Sequence, residues 1–377
     1  MPSTDIRQRI LAGADHIVVK IGSQLLAAPR DGGVDTRWMG RIARQVGQLV
    51  RGGRHVTIVS SGAIAVGRKL LGLASRPTDT GVLQAVAAVG QNGLMERWAG
   101  VFARQRLTIG QMLVTRGDFE RRARYLNIRN CIAELHALNI IPIVNENDTV
   151  AVDEIRFGDN DVLAALLASA IGAQVLVLLS VVDGLHDAGG RVVEVVEGAR
   201  AIAGLVRTDK SSLGSGGMGT KVEAARLVTE AGEAAVIAGG REPNVLTRVM
   251  SGENIGTLFV PGNRRLDSRR RWIGQAVRPA GVLVVDEGAA RAVAERGKSL
   301  LASGVRSVSG AFAKGDVVAI RDESGSELAR GLTNYDAAEV RLIMGKRSTQ
   351  FEKLLGRKGY DEIVHRDHMV LTGSTGP

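Results

Sequence analysis

The sequence predicts an α/β fold in two parts: a three-layer α/β/α sandwich built on a mostly parallel sheet, and a small, mainly β second domain. Over the first two-thirds of the chain, apolar strands alternate with amphipathic helices. The strands are rich in Val and Ile at successive positions, which is typical of a parallel sheet covered by helices on both faces. After residue 276 the pattern changes to short strands separated by glycines, as in a small β domain.

Periodicity predicts the elements of the first domain in order. Apolar residues recur at helical spacing from Trp38 to Val50, and Gly52 ends that helix. The segment 192–196 follows two glycines and is predicted to form a hairpin arm beside the sheet. Six apolar segments predict the strands of the sheet: His16–Gly22, His55–Ser60, Leu107–Val114, Ile140–Val144, Val175–Leu179 and Ala234–Ala238.

A polar, arginine-rich stretch separates the two predicted domains. We place the first domain at 14–262, a linker at 263–275 and the second domain at 276–371. In the second domain the pattern predicts a strand over 282–285, a helix over 289–296 and a turn followed by a strand over 311–320.

Composition excludes several classes of protein. With 377 residues, 45% hydrophobic and 23% charged, the chain is neither collagen-like, nor a coiled coil, nor disordered throughout. One cysteine excludes an intramolecular disulfide framework and indicates a reducing, cytoplasmic setting. The N-terminus has no apolar signal core, and no run of about 18 apolar residues suggests a membrane span.

The net charge of +10 raises the possibility of nucleic-acid binding. Residues 263–377 contain 20 Lys/Arg and 14 Asp/Glu, a net of +6, and the linker arginines supply much of this excess. The second domain has few aromatic residues for stacking on bases. We therefore do not expect RNA as a partner. An RNA-binding function is kept as an alternative hypothesis to the enzymatic function described below.

Lysine is rare in this chain, with nine against forty arginines, so a lysine inside a motif is informative. Lys20 lies at the end of the first buried strand, where burial of an ammonium group is unfavourable unless it pairs with an anion. Open α/β sheets bind ligands at the carboxyl ends of their strands. Gly22 and Ser23 follow and offer donors to a phosphate. The alternative is a lysine whose ammonium group reaches the surface.

A glycine-rich segment, 213–221, ends in a second lysine, Lys221. The dinucleotide fingerprint G-x-G-x-x-G is formally present, but no strand precedes it, and a Walker P-loop would read Gly-Lys-Ser/Thr. Backbone N–H groups of such glycines, followed by a helix predicted over 220–231, favour binding of a phosphate. A surface loop without a ligand is the alternative.

Two polar groups flank one short loop. Asn145-Glu-Asn-Asp148 ends a predicted strand, and Gly158-Asp-Asn-Asp161 begins a helix predicted over 162–171. Capping accounts for one residue in each group, and the remaining carboxylates and amides suit a site that binds an ammonium group or positions a lysine. The histidines are scattered and are interpreted mostly as surface residues, Cys131 as a packed helical residue, and no side chains are predicted to bind a metal.

Six segments in this order carry a family resemblance: VVKIGSQLL at 18–26, IVSSGAIAVG at 58–67, GQMLVTR at 110–116, IPIVNENDTV at 141–150, EIRFGDND at 154–161 and GSGGMGTK at 214–221. Over roughly 14–262 the chain resembles the amino acid kinase family. The stretch 276–371, with VDEGAARAV, GVRSVSGAFAKGDVV and VHRDHMV, resembles the PUA domain appended to many bacterial members that act on glutamate.

The resemblance implies a role for each matching position. The catalytic candidates are Lys20, Lys221, Asp161 and Asp159, the two lysines contacting the ATP phosphates and the acids orienting lysines and ligand. Substrate binding is assigned to Ser61, Asp148 and Asn160, with Asn145 added from the same polar group. The expected ATP-binding residues are Lys20, Gly22, Ser23, Ser180, Val181, Ser215, Gly216, Gly217, Met218, Gly219, Thr220 and Lys221.

The chain departs from the family pattern at two places. In the family, an acid usually follows the Ser or Thr that corresponds to Ser180. Here Val181 occupies the position of that acid, and its side chain cannot accept a hydrogen bond from the nucleotide. Ser23-Gln24 replaces a pair of small hydroxyl residues, so Ser23 alone is retained as a hydroxyl donor.

The implied activity is ATP-dependent phosphorylation of the γ-carboxylate of L-glutamate, the first step of proline biosynthesis, with Mg²⁺ arriving with ATP. The resemblance further implies inhibition by proline, a homo-oligomer and a downstream glutamyl-phosphate reductase. Another carboxylate kinase of the same family is an alternative, and a dehydrogenase is a weaker one that rests on G-x-G-x-x-G alone.

Overall fold

The computed structural model describes residues 3–27, 34–151, 160–198, 217–261, 270, 272–357 and 359–372. These residues form two compact units. The first contains the described residues up to Asp118 and from Ala123 to 261, and the second contains Phe119–Arg122 and the described residues from 270 onward. Each unit has its own sheet and its own apolar core.

The first unit is built on an eight-stranded sheet in the order β3-β4-β2-β1-β5-β7-β8-β6. All neighbours are parallel except β7 and β8, so the prediction of a mostly parallel α/β sheet is confirmed. The strands are β1 (His16–Ile21), β2 (His55–Ser60), β3 (Thr108–Val114), β4 (Ile140–Glu146), β5 (Val175–Ser180), β6 (Val195–Val196), β7 (Ala234–Gly239) and β8 (Thr257–Phe259).

The central strands are apolar on both faces because helices cover both sides of the sheet. β5 and β7 are buried along their whole length, whereas the edge strand β3 is largely exposed. The predicted hairpin arm over 192–196 is short. Val192 pairs antiparallel with His186, and the Val193 N–H donates to the Leu185 carbonyl at 2.7 Å, which closes a tight hairpin. The arm ends in the two residues of β6, which pairs in parallel with β8 at the other edge.

The helix Thr36–Arg51 of the first unit shows how its ends are set. Its N-cap is Asp35, whose carboxylate accepts a hydrogen bond from the Trp38 N–H, and its C-cap is Gly52. The helices are α1 (Ser3–Arg7), α2 (Ser23–Leu26), α3 (Thr36–Arg51), α4 (Ala63–Leu70), α5 (Thr80–Ala103), α6 (Arg116–Glu120, which continues into the second unit), α7 (Arg122–Ala137, which starts there), α8 (Asn160–Ile171), α9 (Met218–Glu230) and α10 (Val245–Met250), with a π-helical turn over Gln8–Ala12.

Helices α4 and α5 pack unusually closely, because two glycines lie at their contact. A Cβ on Gly90 would lie 1.8 Å from the carbonyl oxygen of Ala63, and one on Gly67 would lie 1.9 Å from that of Val86. No side chain fits at either position. Gly62, just before α4, adopts φ +108°, which an L residue rarely tolerates. These glycines set the position of α5 relative to the end of β2.

The second unit holds a six-stranded sheet in the order β10-β14-β13-β12-β9-β11. Trp272 and Ile273, which lie within the predicted linker, are buried, and the Arg330 guanidinium donates to the Gly274 carbonyl. The elements are a π-helical segment (Trp272–Ala276), β9 (Gly281–Val285), α11 (Glu287–Ala294), β10 (Leu300–Leu301), β11 (Val305–Gly310), β12 (Val317–Arg321), β13 (Glu327–Thr333), α12 (Ala337–Ile343), α13 (Phe351–Leu355) and β14 (Glu362–Leu371), with 3₁₀ turns at Ala302–Gly304 and Ser348–Gln350.

The structure corrects the interpretation of the histidines and that of Cys131. Three histidines are not scattered: the ring centroids of His16 and His55 lie 4.6 Å apart and those of His55 and His136 lie 5.0 Å apart. Burial, aided by the two neighbouring imidazoles, lowers the pKa of His136 to about 4. Cys131 is exposed on α7 rather than packed. No helix within the described residues combines the length and apolar character needed to cross a bilayer.

Candidate functional site

The predicted site residues converge at the carboxyl ends of four adjacent strands. The order β4-β2-β1-β5 places the ends of these strands side by side. Lys20 is near the end of β1, Ser61 directly follows β2, Asn145 is near the end of β4 and Ser180 ends β5. This is the edge at which open parallel sheets bind ligands. Helices α8 and α9 bring Asn160, Asp161 and Lys221 to the same edge.

A buried carboxylate joins the two predicted lysines. The Lys20 ammonium lies 2.5 Å from one oxygen of Asp161, and the Lys221 ammonium lies 3.1 Å from the other. The Thr220 hydroxyl also donates to Asp161, at 2.9 Å. All three charged residues are at least nine-tenths buried. Two lysines distant in the sequence therefore reach one point of the site from different elements, β1 and α9.

The ionisation of Asp161 depends on these lysines. Burial alone would raise its pKa, but the charges of Lys20 and Lys221 and their hydrogen bonds outweigh burial, so the pKa lies below its ordinary value. The carboxylate therefore stays charged and holds both ammonium groups in place. One carboxylate balances only one of two ammonium charges, so the group of three retains positive charge.

The two lysines line a cavity of about 120 Å³, which we call the cationic cavity. Ser23, Ser61 and Ser180 contribute hydroxyl groups to it. Val181 is half-exposed at the same cavity and presents no hydrogen-bonding side chain. The lining residues are Lys20, Gly22, Ser23, Gln24, Leu25, Ser61, Arg76, Ser180, Val181 and Lys221.

The glycine-rich segment enters the described structure at Gly217, the extended residue that precedes α9. Met218, Gly219, Thr220 and Lys221 form the first turn of this helix, so the helix predicted over 220–231 is present and begins two residues earlier, at Met218. The Thr220 hydroxyl also contacts the Gly217 carbonyl at 3.0 Å. Three predicted site residues lie outside the described residues: Asp159, Ser215 and Gly216.

Three of the predicted substrate-binding residues form one hydrogen-bond chain. The Asn160 amide donates to the Ser61 hydroxyl at 2.9 Å and to the Asn145 side-chain oxygen at 3.1 Å. The Asn145 amide donates in turn to the side-chain oxygen of Gln91 at 2.7 Å. This chain starts at the cationic cavity, which Ser61 lines, and ends at a second cavity, which Gln91 lines.

The second cavity, which we call the amide cavity, has a volume of about 280 Å³ and contains Asp148. Burial raises the pKa of Asp148 to about 6, and the charge of Arg76 opposes this shift only in part. A carboxyl group in this state gains free energy from a cationic ligand. Its lining residues are Ala87, Ala88, Gln91, Asn92, Gln111, Leu113, Glu146, Asn147, Asp148 and Thr149.

Sequence reasoning missed three residues that shape the site. Arg76 adds a guanidinium to the cationic cavity, but one arginine among forty carries no signal in the sequence. Trp98 donates from its indole nitrogen to the Ser60 hydroxyl at 3.0 Å and so fixes the end of β2. Gln91 contacts Asn145, and its position in the middle of the helix α5 gave no indication of a site.

Comparison with known proteins gives two family matches. The model of the amino acid kinase family matches residues 15–239, and that of the PUA domain matches 281–355. Glutamate 5-kinase of Variovorax paradoxus is 46% identical over 369 residues, 96% of this chain and 97% of that protein. Glutamate 5-kinase of Thermosynechococcus vestitus is 45% identical over 95% of this chain and its own full length. Among solved structures, the Giardia carbamate kinase is similar with a TM-score of 0.48 and 17% identity, over 66% of this chain and all of that one.

Proposed function

The chain belongs to the amino acid kinase family, and on that premise we propose that it transfers the γ-phosphoryl group of ATP to the γ-carboxylate of L-glutamate. The products are L-glutamyl 5-phosphate and ADP, and the reaction opens proline biosynthesis. The observation that carries the proposal is the pair of buried lysines, 2.5 Å and 3.1 Å from the two oxygens of Asp161, at the cationic cavity. The relatives named as glutamate 5-kinases support the choice of substrate.

The main barrier to this reaction is electrostatic, because an anionic carboxylate must approach an anionic phosphoryl group. Lys20 and Lys221 place two fixed positive charges at the cavity, and Asp161 orients both before substrate arrives. Charge that is already in place need not reorganise as the transition state forms. We assign Lys20 and Lys221 to the ATP phosphates and to the phosphoryl group in transfer, and Asp161 to their orientation.

The nucleophile needs no general base. A side-chain carboxylate has a reference pKa near 4.3, so it is ionised at neutral pH. Its oxygen forms a bond to the γ-phosphorus, the bond from that phosphorus to the β,γ-bridging oxygen breaks, and ADP leaves with the electron pair. No proton moves in this step. The described residues that line the two cavities include no histidine, which is consistent with such chemistry.

A kinase that uses ATP requires a divalent cation, and we propose Mg²⁺ as part of the nucleotide substrate. The described residues include no group of three metal-ligating side chains, and both oxygens of Asp161 already face ammonium groups. These residues fit an ion held by phosphate oxygens and water rather than one held in a protein cage. Bound in this way, the ion neutralises phosphate charge.

We assign amino acid recognition to Ser61, Asn145, Asp148 and Asn160. Asp148 is the group for the substrate ammonium, since burial has raised its pKa to about 6 and a cation would compensate its charge. The hydrogen-bond chain from Ser61 through Asn160 and Asn145 to Gln91 connects the two cavities, which suits a substrate whose ends differ. The proposed site is completed by Asp159, which has a catalytic role, and by the ATP-binding residues Gly22, Ser23, Ser180, Val181 and 215–221.

The remaining assignments rest on the family resemblance. We propose the domain bounds 14–262 and 276–371, a cytoplasmic location, a homo-oligomer, inhibition by proline and transfer of the product to a glutamyl-phosphate reductase. The single cysteine fits a reducing compartment.

Trapping of the acyl phosphate by hydroxylamine tests the proposed function. Purified protein is incubated with Mg·ATP and, in separate reactions, with L-glutamate, N-acetyl-L-glutamate and L-aspartate. We expect the hydroxamate to form with L-glutamate. Formation with either of the other two acids and none with L-glutamate would reassign the chain to another carboxylate kinase of the family.

A further inference from the structure

Gln91 has a buried amide group whose donor is not used by the described residues. The side chain is 9% exposed, and its Nε2 has no hydrogen-bond partner among the described residues. A buried donor left without a partner destabilises a fold, because its hydration is lost and no hydrogen bond replaces it. Such a group in a cavity wall indicates a ligand that accepts the hydrogen bond.

The orientation of this amide follows from two backbone groups. The Glu146 N–H, which can only donate, lies 2.9 Å from the Asn145 side-chain oxygen, and this fixes which end of Asn145 is the amide. The Asn145 Nδ2 therefore donates to Gln91, and the Gln91 atom that receives it is Oε1. At the other end, Asn160 Nδ2 lies 3.2 Å from the Ser60 carbonyl oxygen, which can only accept. The whole chain has one consistent direction, and Gln91 Nε2 is its terminal donor.

The packing of the backbone next to Gln91 also restricts its position. Its neighbour Gly90 lies against the Ala63 carbonyl with no room for a Cβ, so α5 cannot shift toward α4. On the same helix, Trp98 is anchored to the Ser60 hydroxyl. Donors that are fixed before a ligand arrives lose little entropy on binding and select one ligand geometry.

Gln91 and Asp148 line the same cavity with opposite preferences. Asp148 attracts a cation, and the amide N–H of Gln91 donates to an anion or a carbonyl oxygen. The α-carbon of an amino acid carries that pair of groups, an ammonium and a carboxylate. We propose that Gln91 is a specificity-determining residue that binds the α-carboxylate of the amino acid substrate through Nε2. This inference rests on the proposed function, and it makes the α-carboxylate, in addition to the reacting γ-carboxylate, a requirement for the substrate.

The Gln91→Glu substitution tests the inference because it changes one atom. The oxygen that accepts from Asn145 is kept, and the buried donor Nε2, which has no partner among the described residues, is replaced by an acceptor with negative charge. The substrates are L-glutamate and its α-amide, in which a carboxamide replaces the α-carboxylate and the γ-carboxylate remains. We expect kcat/KM for L-glutamate to fall at least about 100-fold, through KM, and that for the α-amide to fall less than about fivefold, because its NH₂ donates to the new carboxylate.

Two further variants serve as controls. Gln48→Glu makes the same chemical change at an exposed position of α3, and we expect kcat/KM within about twofold of the wild-type value. Gln91→Met removes the donor without adding charge, and we expect about a tenfold loss for L-glutamate. It also provides the test if Gln91→Glu unfolds, which thermal melting shows directly.

The outcomes separate this inference from the proposed function. If Gln91→Glu lowers kcat/KM for both substrates by one common factor, or leaves both unchanged, Gln91 does not contact the α-substituent and the inference is overturned while the kinase assignment stands. Activity toward L-glutamate within about twofold of the wild-type value in a folded Gln91→Met variant leads to the same conclusion. A wild-type protein that phosphorylates neither substrate overturns both.

Discussion

The two cavities bind charge by opposite means. In the cationic cavity, charged groups are paired with one another: Lys20 and Lys221 share the carboxylate of Asp161. In the amide cavity, neutral amides are oriented in series, and burial raises the pKa of the Asp148 carboxyl group to about 6. Pairing with the two lysines lowers the pKa of Asp161 and keeps this carboxylate charged, which suits a step that moves a phosphoryl group. Oriented amides beside a carboxyl group that Arg76 compensates only in part suit selection of a ligand.

The difference predicts a division of labour. Changes in the cationic cavity should lower the rate of phosphoryl transfer, and changes in the amide cavity should weaken binding of the amino acid. The Ser61–Asn160–Asn145–Gln91 chain links the two without placing a charged group between them. The variants below separate the two contributions.

The largest effect is expected from the lysines. Lys20→Met and Lys221→Met each remove an ammonium group and keep most of the side-chain volume, and we expect kcat to fall at least about 100-fold, as when one transition-state donor is lost. Because both lysines bind Asp161, the double variant should lose less than the product of the single losses. Single-turnover kinetics with saturating ATP and glutamate measures this. Turnover within threefold of the wild-type value in both single variants would remove their proposed roles.

A smaller effect on binding, with a gain in stability, is expected for Asp148→Asn. The amide cannot balance the substrate ammonium, so KM for L-glutamate should rise about 30- to 100-fold with little change in kcat. Burial raises the pKa of Asp148 to about 6, so the ionised form opposes folding above pH 6. We therefore expect the variant to be more stable at pH 8 by about 1–3 kcal/mol in urea unfolding. A loss of stability would contradict this account of Asp148.

The smallest effect is a pH dependence that distinguishes the two cavities. As pH falls below 6, Asp148 takes up a proton and loses its attraction for the substrate ammonium. The pKa of Asp161 lies below its ordinary value, so the lysine pair is unaffected in this range. We expect kcat/KM for L-glutamate to fall about tenfold between pH 7 and pH 5 in the wild type, and to be nearly flat in Asp148→Asn. Equal slopes in the two proteins would assign the titration to another group.

The sequence was sufficient to predict the parallel sheet and the cationic cavity for a physical reason. A lysine at the end of an apolar strand has few favourable environments, and the carboxyl ends of parallel strands meet at one edge. Lys20 and Asn145 could thus be placed near each other from their strands alone. Their predicted elements agree with β1 and β4 to within two residues.

The amide cavity was only partly predictable because it depends on how helices pack. Gln91 lies in a 24-residue helix with no local signal, and the close contact of Gly67 and Gly90 with the facing backbone brings it to Asn145. The histidine cluster is a similar case. His16 and His55 meet because β1 and β2 start in register, which separation along the chain conceals.

The most direct test of the division of labour is steady-state kinetics of Lys20→Met and Asp148→Asn, with L-glutamate varied at saturating ATP. The account predicts that Lys20→Met loses kcat at least about 100-fold with KM for glutamate within about threefold, and that Asp148→Asn shows the converse. If kcat falls and KM for glutamate rises to the same degree in both variants, the two cavities act as one site and the division of labour is wrong.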